Sequence, residues 1–338
     1  MRVSQREKPP LADSLATEAN EGQSFQENID KKIERYSRAR KRATDIISHV
    51  ELEFQKTHAP GLAKIRDGLI ECGNYLHFRH YPTKSQTRLF NANFCKKHLF
   101  CPLCAIRRAS KSLSSYLERY KTVLEQNPNL KPYMVTYTVK NGDDLSERYE
   151  HLTKSLSKLV QNRRRALTSK NSRHATEWKK IKGAVGSFEF TNKNKGNGWH
   201  PHVHIIVLVE KGEMLDEATL RAEWLKITGD SHIVDVREIY DKNDPDNENP
   251  ISGFVEVFKY ALKFSDLSYQ QQIHAALTLS KRRLLFSIGL FRGVKVPDSL
   301  VDEQIEDLPY IDLLYRFIDG QYQLREVGLE QVKSIRLG

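Results

Sequence analysis

The stretch Gly198–Glu210, GWHPHVHIIVLVE, sets His200, His202 and His204 two apart and then continues as an unbroken apolar run. A strand turns alternate side chains to opposite faces, so the three imidazoles share a face with Ile206 and Leu208. Val203, Ile205, Val207 and Val209 take the other face. Both faces are apolar beyond the histidines, which predicts a central strand covered on both sides. Pro201 is compatible with this because it lies at the strand's start. Imidazoles at i and i+2 can offer nitrogens to one metal ion, but the pattern alone names no reaction.

The preceding segment, GAVGSFEFTN (183–192), reads as a second strand, joined to the first by the turn-rich KNKGNGW. A hairpin symmetric about that loop sets Glu189 opposite His202, on the same side of the sheet. One carboxylate beside two imidazoles makes a three-ligand divalent site with open positions. A slip of one residue turns Glu189 away and leaves it an ordinary edge charge.

Working outward, PYMVTYTVK (132–140) alternates and predicts a strand, followed by a basic helix over about 145–170. MLDEATLRAEWLKITG is a helix, SHIVDVREIY (231–240) a strand, and DKNDPDNENP an exposed acidic loop. ISGFVEVFKYALKFSDLS is a helix, and RRLLFSIGLFRG (282–293) closes the unit. The order β-α-β-β-α-β-α predicts an α+β protein: an antiparallel sheet with helices on one face. On the N-terminal side, residues 1–25 are polar and aperiodic, as in a disordered tail. SFQENIDKKIERYSRARKRATDIISHVELEFQ predicts a long charged helix capped at Ser24 or Asn28. Residues 58–106 read as loop-rich, and IRRASKSLSSYLERYKTVLEQ is helical again. The expected division is a tail (1–25), a helical and Cys-rich region (26–128), a catalytic domain (129–295) and an accessory segment (296–338), acidic and partly apolar.

In FVEVFKYALKF (254–264), a helical wheel gathers Phe254, Phe258, Ala261 and Leu262 on one side. Tyr260 falls off that stripe, with Glu256 one turn before it and Lys263 about one turn after. A phenol can attack a phosphodiester and hold the product covalently. Its ordinary pKa is about 10, so it needs help to ionise, and the flanking Lys259 and Lys263 favour the phenolate. The plainer alternative is an amphipathic tyrosine at the stripe's edge.

Lys plus Arg number 54 and Asp plus Glu 43, a formal charge of +11. That excess suits a polyanionic partner such as nucleic acid and argues against a hydrolase of small molecules. No apolar run reaches the roughly 20 residues of a membrane span. The N-terminus lacks the apolar core of a signal peptide, so a cytoplasmic location is expected. There, Cys72, Cys95, Cys101 and Cys104 are expected as thiols or metal ligands rather than disulfides. CPLC is a C-x-x-C knuckle, and Cys72 and Cys95 can complete a structural Cys₄ zinc site. His77, His80 and His98 are rival ligands, and buried free thiols are the alternative. Arg107 and Arg108, just beyond, are expected to face DNA phosphates. The runs KLVQNRRRALTSKNSRH and KNKGNGWH are solvated faces or backbone contacts to DNA. Trp199 is either a stacking platform for an unpaired base or an anchor of the hairpin loop.

YMVTYTVKN, WHPHVHIIVL and FKYALKF, in that order, resemble the three motifs of HUH endonucleases. The match is nearest to the rolling-circle replication initiators (Rep proteins) of small bacterial plasmids. The resemblance spans roughly residues 70–293 and extends to NFCKKHLFCPLCAIRRASK, TGDSHIVDVR and RRLLFSIGLFRG. It implies a ferredoxin- or RRM-like sheet with helices on its faces. It further implies Mg²⁺ or Mn²⁺ bound by His202, His204 and Glu189, and a nicking tyrosine at Tyr260. Glu256 then matches the glutamate that ends the cycle in members with one tyrosine. Plasmid origin DNA, single-stranded or in a hairpin, is the implied partner, with a host helicase and single-strand-binding protein. His200 is extra to the motif. Competing readings are an HUH transposase or relaxase, and a non-catalytic zinc DNA-binding regulator.

Overall fold

A computed structural model describes residues 25–168, 176–192, 197–239, 251–258, 266–305 and 308–329. It divides into two compact units, one of Met1–Lys111 with Pro297–Gly338, the other of Ser112–Val296. Among the described residues, no helix is long and apolar enough to cross a membrane.

In the first unit, α1 (Phe25–Thr57) buries Ile29, Ile33, Tyr36, Ala43, Ile46 and Val50. Their steps of three, four and seven form one stripe. α2 (Pro60–Glu71) opens on proline, whose missing N–H costs nothing there, and buries Leu62 and Leu69. Arg40 of α1 donates to the carbonyls of Leu69 and Ile70, both at 2.8 Å, so it caps the C-terminus of α2. β1 (Tyr75–Tyr81) and β2 (Gln86–Ala92) form an antiparallel hairpin. Residues 58–106 are therefore not loop-rich: a helix and a hairpin occupy most of the segment. Leu76, Phe78 and His80 alternate inward, a pattern that the histidines and Arg79 obscure in the sequence.

The C-terminal residues complete this sheet. β8 (Ile311–Ile318) pairs with β1, and β9 (Gln321–Leu329) with β8, giving the order β2-β1-β8-β9. The β8–β9 connection is Asp319-Gly320, both at positive φ (50° and 83°), a two-residue hairpin turn whose twist matches the strands.

α3 (Pro102–Gln126) begins in the first unit and ends in the second. The second unit is built on an entirely antiparallel sheet of order β6-β3-β5-β4-β7: β3 (Leu130–Thr138), β4 (Gly183–Thr191), β5 (His200–Glu210), β6 (Val234–Glu238) and β7 (Leu285–Gly289). β5 lies at the centre, and Val203 and Ile205 through Val209 are buried. α4 (Leu145–Thr168) and α5 (Glu217–Thr228) cover the Val203 face. There Tyr149 meets Phe188 and Phe190, and Trp224 lies against Tyr137. α6 (Ile251–Val257) covers the histidine face, where Ser187 Oγ donates to the carbonyl of Val257. Helices thus lie on both faces rather than on one, because β5 is apolar on both sides. Behind α6, Tyr116 of α3 stacks on Phe258, and Tyr120 meets Phe254 edge-on. α7 (Tyr269–Leu279) opens with a capping box between Ser268 and Gln271.

Candidate functional site

β4 and β5 pair in the register expected from the hairpin's symmetry, with Glu189 opposite His202. Glu189 Oε2 lies 3.1 Å from His202 Nε2 and 3.3 Å from His204 Nε2. All three side chains are only 12–13% exposed. From α6, Glu256 Oε1 approaches His204 Nε2 to 3.8 Å and is itself half-buried. Ser187 lies opposite His204 on the same face, and its bond to Val257 fixes the turn that carries Glu256.

Each flanking ring nitrogen has its own environment. Thr136 of β3 pairs with His204, and its Oγ1 is 3.0 Å from His204 Nδ1. His200 Nδ1 bonds Asn141 Oδ1 at 2.7 Å. His202 Nδ1 is buried, and no hydrogen-bond partner lies among the described residues. Burial pushes the Glu189 carboxyl up, but hydrogen bonds from His202 and His204 outweigh it. The group is held well below the ordinary carboxylate range.

These donors fit a divalent cation. Ligand atoms about 2.1 Å from an octahedral ion stand about 3.0 Å apart. The two Nε2–Oε2 separations are 3.1 and 3.3 Å, and the three donor atoms all lie within 4.8 Å of one another. When Nδ1–H of His204 donates to Thr136 Oγ1, Nε2 gives up the hydrogen bond to Glu189 and presents a lone pair, which can share a cation with the carboxylate oxygen.

In the first unit, Cys72, Cys95, Cys101 and Cys104 also converge. Sγ–Sγ separations are 3.6 Å (Cys72–Cys101), 3.5 Å (Cys72–Cys104) and 3.6 Å (Cys95–Cys104). Hydrogen bonds from Cys101, Cys104 and Cys95 hold the Cys72 thiol far below its ordinary range. The rival His77 is engaged with Asp312 at 2.8 Å, and His80 with Thr87 at 3.0 Å.

Two expected DNA contacts, Arg107 and Trp199, are buried. Arg107 is buried, donating to the Leu300 carbonyl (2.8 Å), Tyr36 Oη (2.9 Å) and Asp302 Oδ1 (2.5 Å). A guanidinium so enclosed ties the C-terminal segment to α1 and cannot reach phosphate. Arg108 is partly exposed and donates to the Pro297 carbonyl at 3.1 Å. Trp199 is 3% exposed, stacks on His274, and exchanges backbone hydrogen bonds with Gly142. It anchors the hairpin loop instead of offering a platform for a base. A Cβ on the preceding Gly198, itself at φ +67°, would meet the Gly142 carbonyl oxygen at 2.5 Å. Tyr260, Lys259 and Lys263 lie outside the described residues. Thr136, Asn141 and Ser187 were not singled out from the sequence. Their signal was register: Thr136 and Ser187 stand opposite His204 on its two neighbouring strands.

Fold and site together define an α+β protein carrying a two-imidazole, one-carboxylate donor cluster on the central strand of an antiparallel sheet. The chain belongs to the Rep family of replication proteins, whose model, described as "Replication protein", matches residues 86–313. A protein named "Protein rep" from a Bacillus species is 26% identical over 296 residues, covering 77% of this chain and 89% of the relative. A "Protein rep" from Streptococcus pneumoniae serotype 2 is 28% identical over 259 residues, covering 72% and 77%. One from Staphylococcus aureus is 28% identical over 224 residues, covering 63% and 89%. No solved structure matches at a significant level.

Proposed function

We propose that this replication protein is a plasmid rolling-circle initiator of the HUH endonuclease type. It nicks one strand of origin DNA, presented single-stranded or in a hairpin, and later rejoins the displaced strand. The observation that carries this reading is the convergence of His202 and His204 on one oxygen of Glu189, with Glu256 beside them. Glu189, His202 and His204 would hold Mg²⁺ or Mn²⁺, which when bound neutralises charge on the scissile phosphate and orients it. The hydrogen bond with Thr136 orients the ring of His204, and the β4–β5 register holds Glu189 against both imidazoles.

The nucleophile in this reading is Tyr260, four residues after Glu256 in the chain. Its phenol oxygen bonds to phosphorus as the bond from phosphorus to the 3′ oxygen breaks. The phenol proton passes to solvent, Lys259 and Lys263 favour the phenolate, and the departing 3′ oxygen takes up a proton. The products are a 5′-phosphotyrosine and a free 3′-OH that primes synthesis. Glu256 then activates a second attacking group when the cycle ends. A host helicase and a single-strand-binding protein are the expected partners.

The test is incubation with single-stranded origin DNA and Mn²⁺, read on a denaturing gel. A covalent protein–DNA band is expected, absent after chelation and in Tyr260→Phe. Glu256→Ala should keep the first nick and impair termination. A band that survives Tyr260→Phe would move the nucleophile elsewhere, and no band with any origin would favour a non-catalytic regulator.

A further inference from the structure

The four cysteine sulfurs are neither disulfide-bonded nor loosely gathered. A disulfide requires about 2.05 Å between sulfurs, whereas the separations here are 3.5–3.6 Å. Four thiolates about 2.3 Å from one tetrahedral ion stand about 3.8 Å apart. Cys72, Cys101 and Cys104 are buried, and Cys95 is partly so.

Each sulfur is delivered by a local backbone feature. Cys72 ends α2, just before Gly73, which turns the chain at φ +69°. Cys95 follows β2, directs its N–H at Cys72 Sγ (3.4 Å), and precedes Lys96 in the left-handed region (φ 57°). Cys101 stands immediately before Pro102, the first residue of α3, and its sulfur accepts from the Cys104 N–H at 3.5 Å in the manner of a helix cap. Cys104 sits in the first turn of α3, two residues after Pro102.

We propose that this cluster holds one structural Zn²⁺ as a closed tetrathiolate centre. As each sulfur binds, it releases its thiol proton to solvent. All four tetrahedral positions are filled by protein, so the ion has no place for a substrate or an activated water. Its work is to cross-link the end of α2, the irregular segment after the β1–β2 hairpin and the start of α3. Tyr322 of β9 donates its hydroxyl to the Gly73 carbonyl at 2.6 Å, next to Cys72. The ion thereby also supports the seat of the C-terminal hairpin.

The test uses the full chain purified under reducing conditions without added metal. Elemental analysis should find one zinc per chain, retained through EDTA dialysis. Native protein should react slowly with a thiol reagent, with four thiols appearing once zinc is extracted. Cobalt substitution should give the intense thiolate-to-cobalt charge-transfer absorption of four-sulfur coordination. Cys95→Ser, at the least buried position, should fold and lose zinc more readily. Wild-type protein with no bound metal and four readily titrated thiols would overturn the proposal. So would bound iron in zinc's place, or a melting temperature that zinc extraction leaves unchanged. These readouts do not depend on whether the protein cuts DNA.

Discussion

The cysteine cluster takes its sulfurs from a helix end, a post-strand turn and the cap of another helix, whereas the histidine cluster is laid out on two neighbouring strands. The first is all sulfur and closed. The second is nitrogen and oxygen, with three protein donors and positions left over. Soft, complete coordination suits a cross-link, and hard, incomplete coordination suits chemistry on a phosphate. Their supports differ in kind too. Helix caps and tight turns bring together segments that pairing would not, while strand register repeats every two residues and aligns imidazoles on one face.

The largest effect should come from opening the closed cluster. Cys72→Ser or Cys104→Ser is expected to cost roughly 4–5 kcal/mol, read by denaturant unfolding, as for loss of a structural metal. If either variant instead keeps full stability and loses only nicking, the distinction between the two clusters collapses. Next is Arg107→Ala, at about 3 kcal/mol, because it leaves the Asp302 carboxylate without its buried partner. Its salt dependence of DNA binding should stay unchanged; a reduced slope would restore Arg107 as a phosphate contact. His202→Ala and Glu189→Gln should lower Mn²⁺-dependent nicking by on the order of 10²-fold, about 2.7 kcal/mol, with the unfolding midpoint held. A large stability loss there would make the open cluster structural as well. Smallest is Thr136→Val, which should weaken Mn²⁺ about tenfold in a metal titration of nicking, with full rescue at high metal.

Much of the second unit was legible because its signals are local. The β4–β5 register followed from a symmetric hairpin, and the alternation of β3 from Tyr133, Val135 and Tyr137. The first unit was less so. β1 and β8 lie more than two hundred residues apart in the chain, and no local pattern announces their pairing. One local signal was nevertheless present there, Asp319-Gly320 as a hairpin turn. Arg107 looked like a phosphate ligand because it follows a cysteine knuckle in a basic stretch. Its true partners, Tyr36 and Asp302, come from segments remote in sequence.

The sequence by itself determined the donor types, their periodicity and the family motifs, since side-chain chemistry and strand alternation are local properties. It thereby set His202 and His204 on one face and Glu189 opposite. Tertiary structure alone decided which cations are buried, that the four sulfurs meet, that Trp199 is an anchor, and that Ile311–Ile318 and Gln321–Leu329 close a sheet begun by Tyr75–Tyr81. Those outcomes depend on burial and on contacts between distant segments, and their energy appears only once the intervening chain has been folded back.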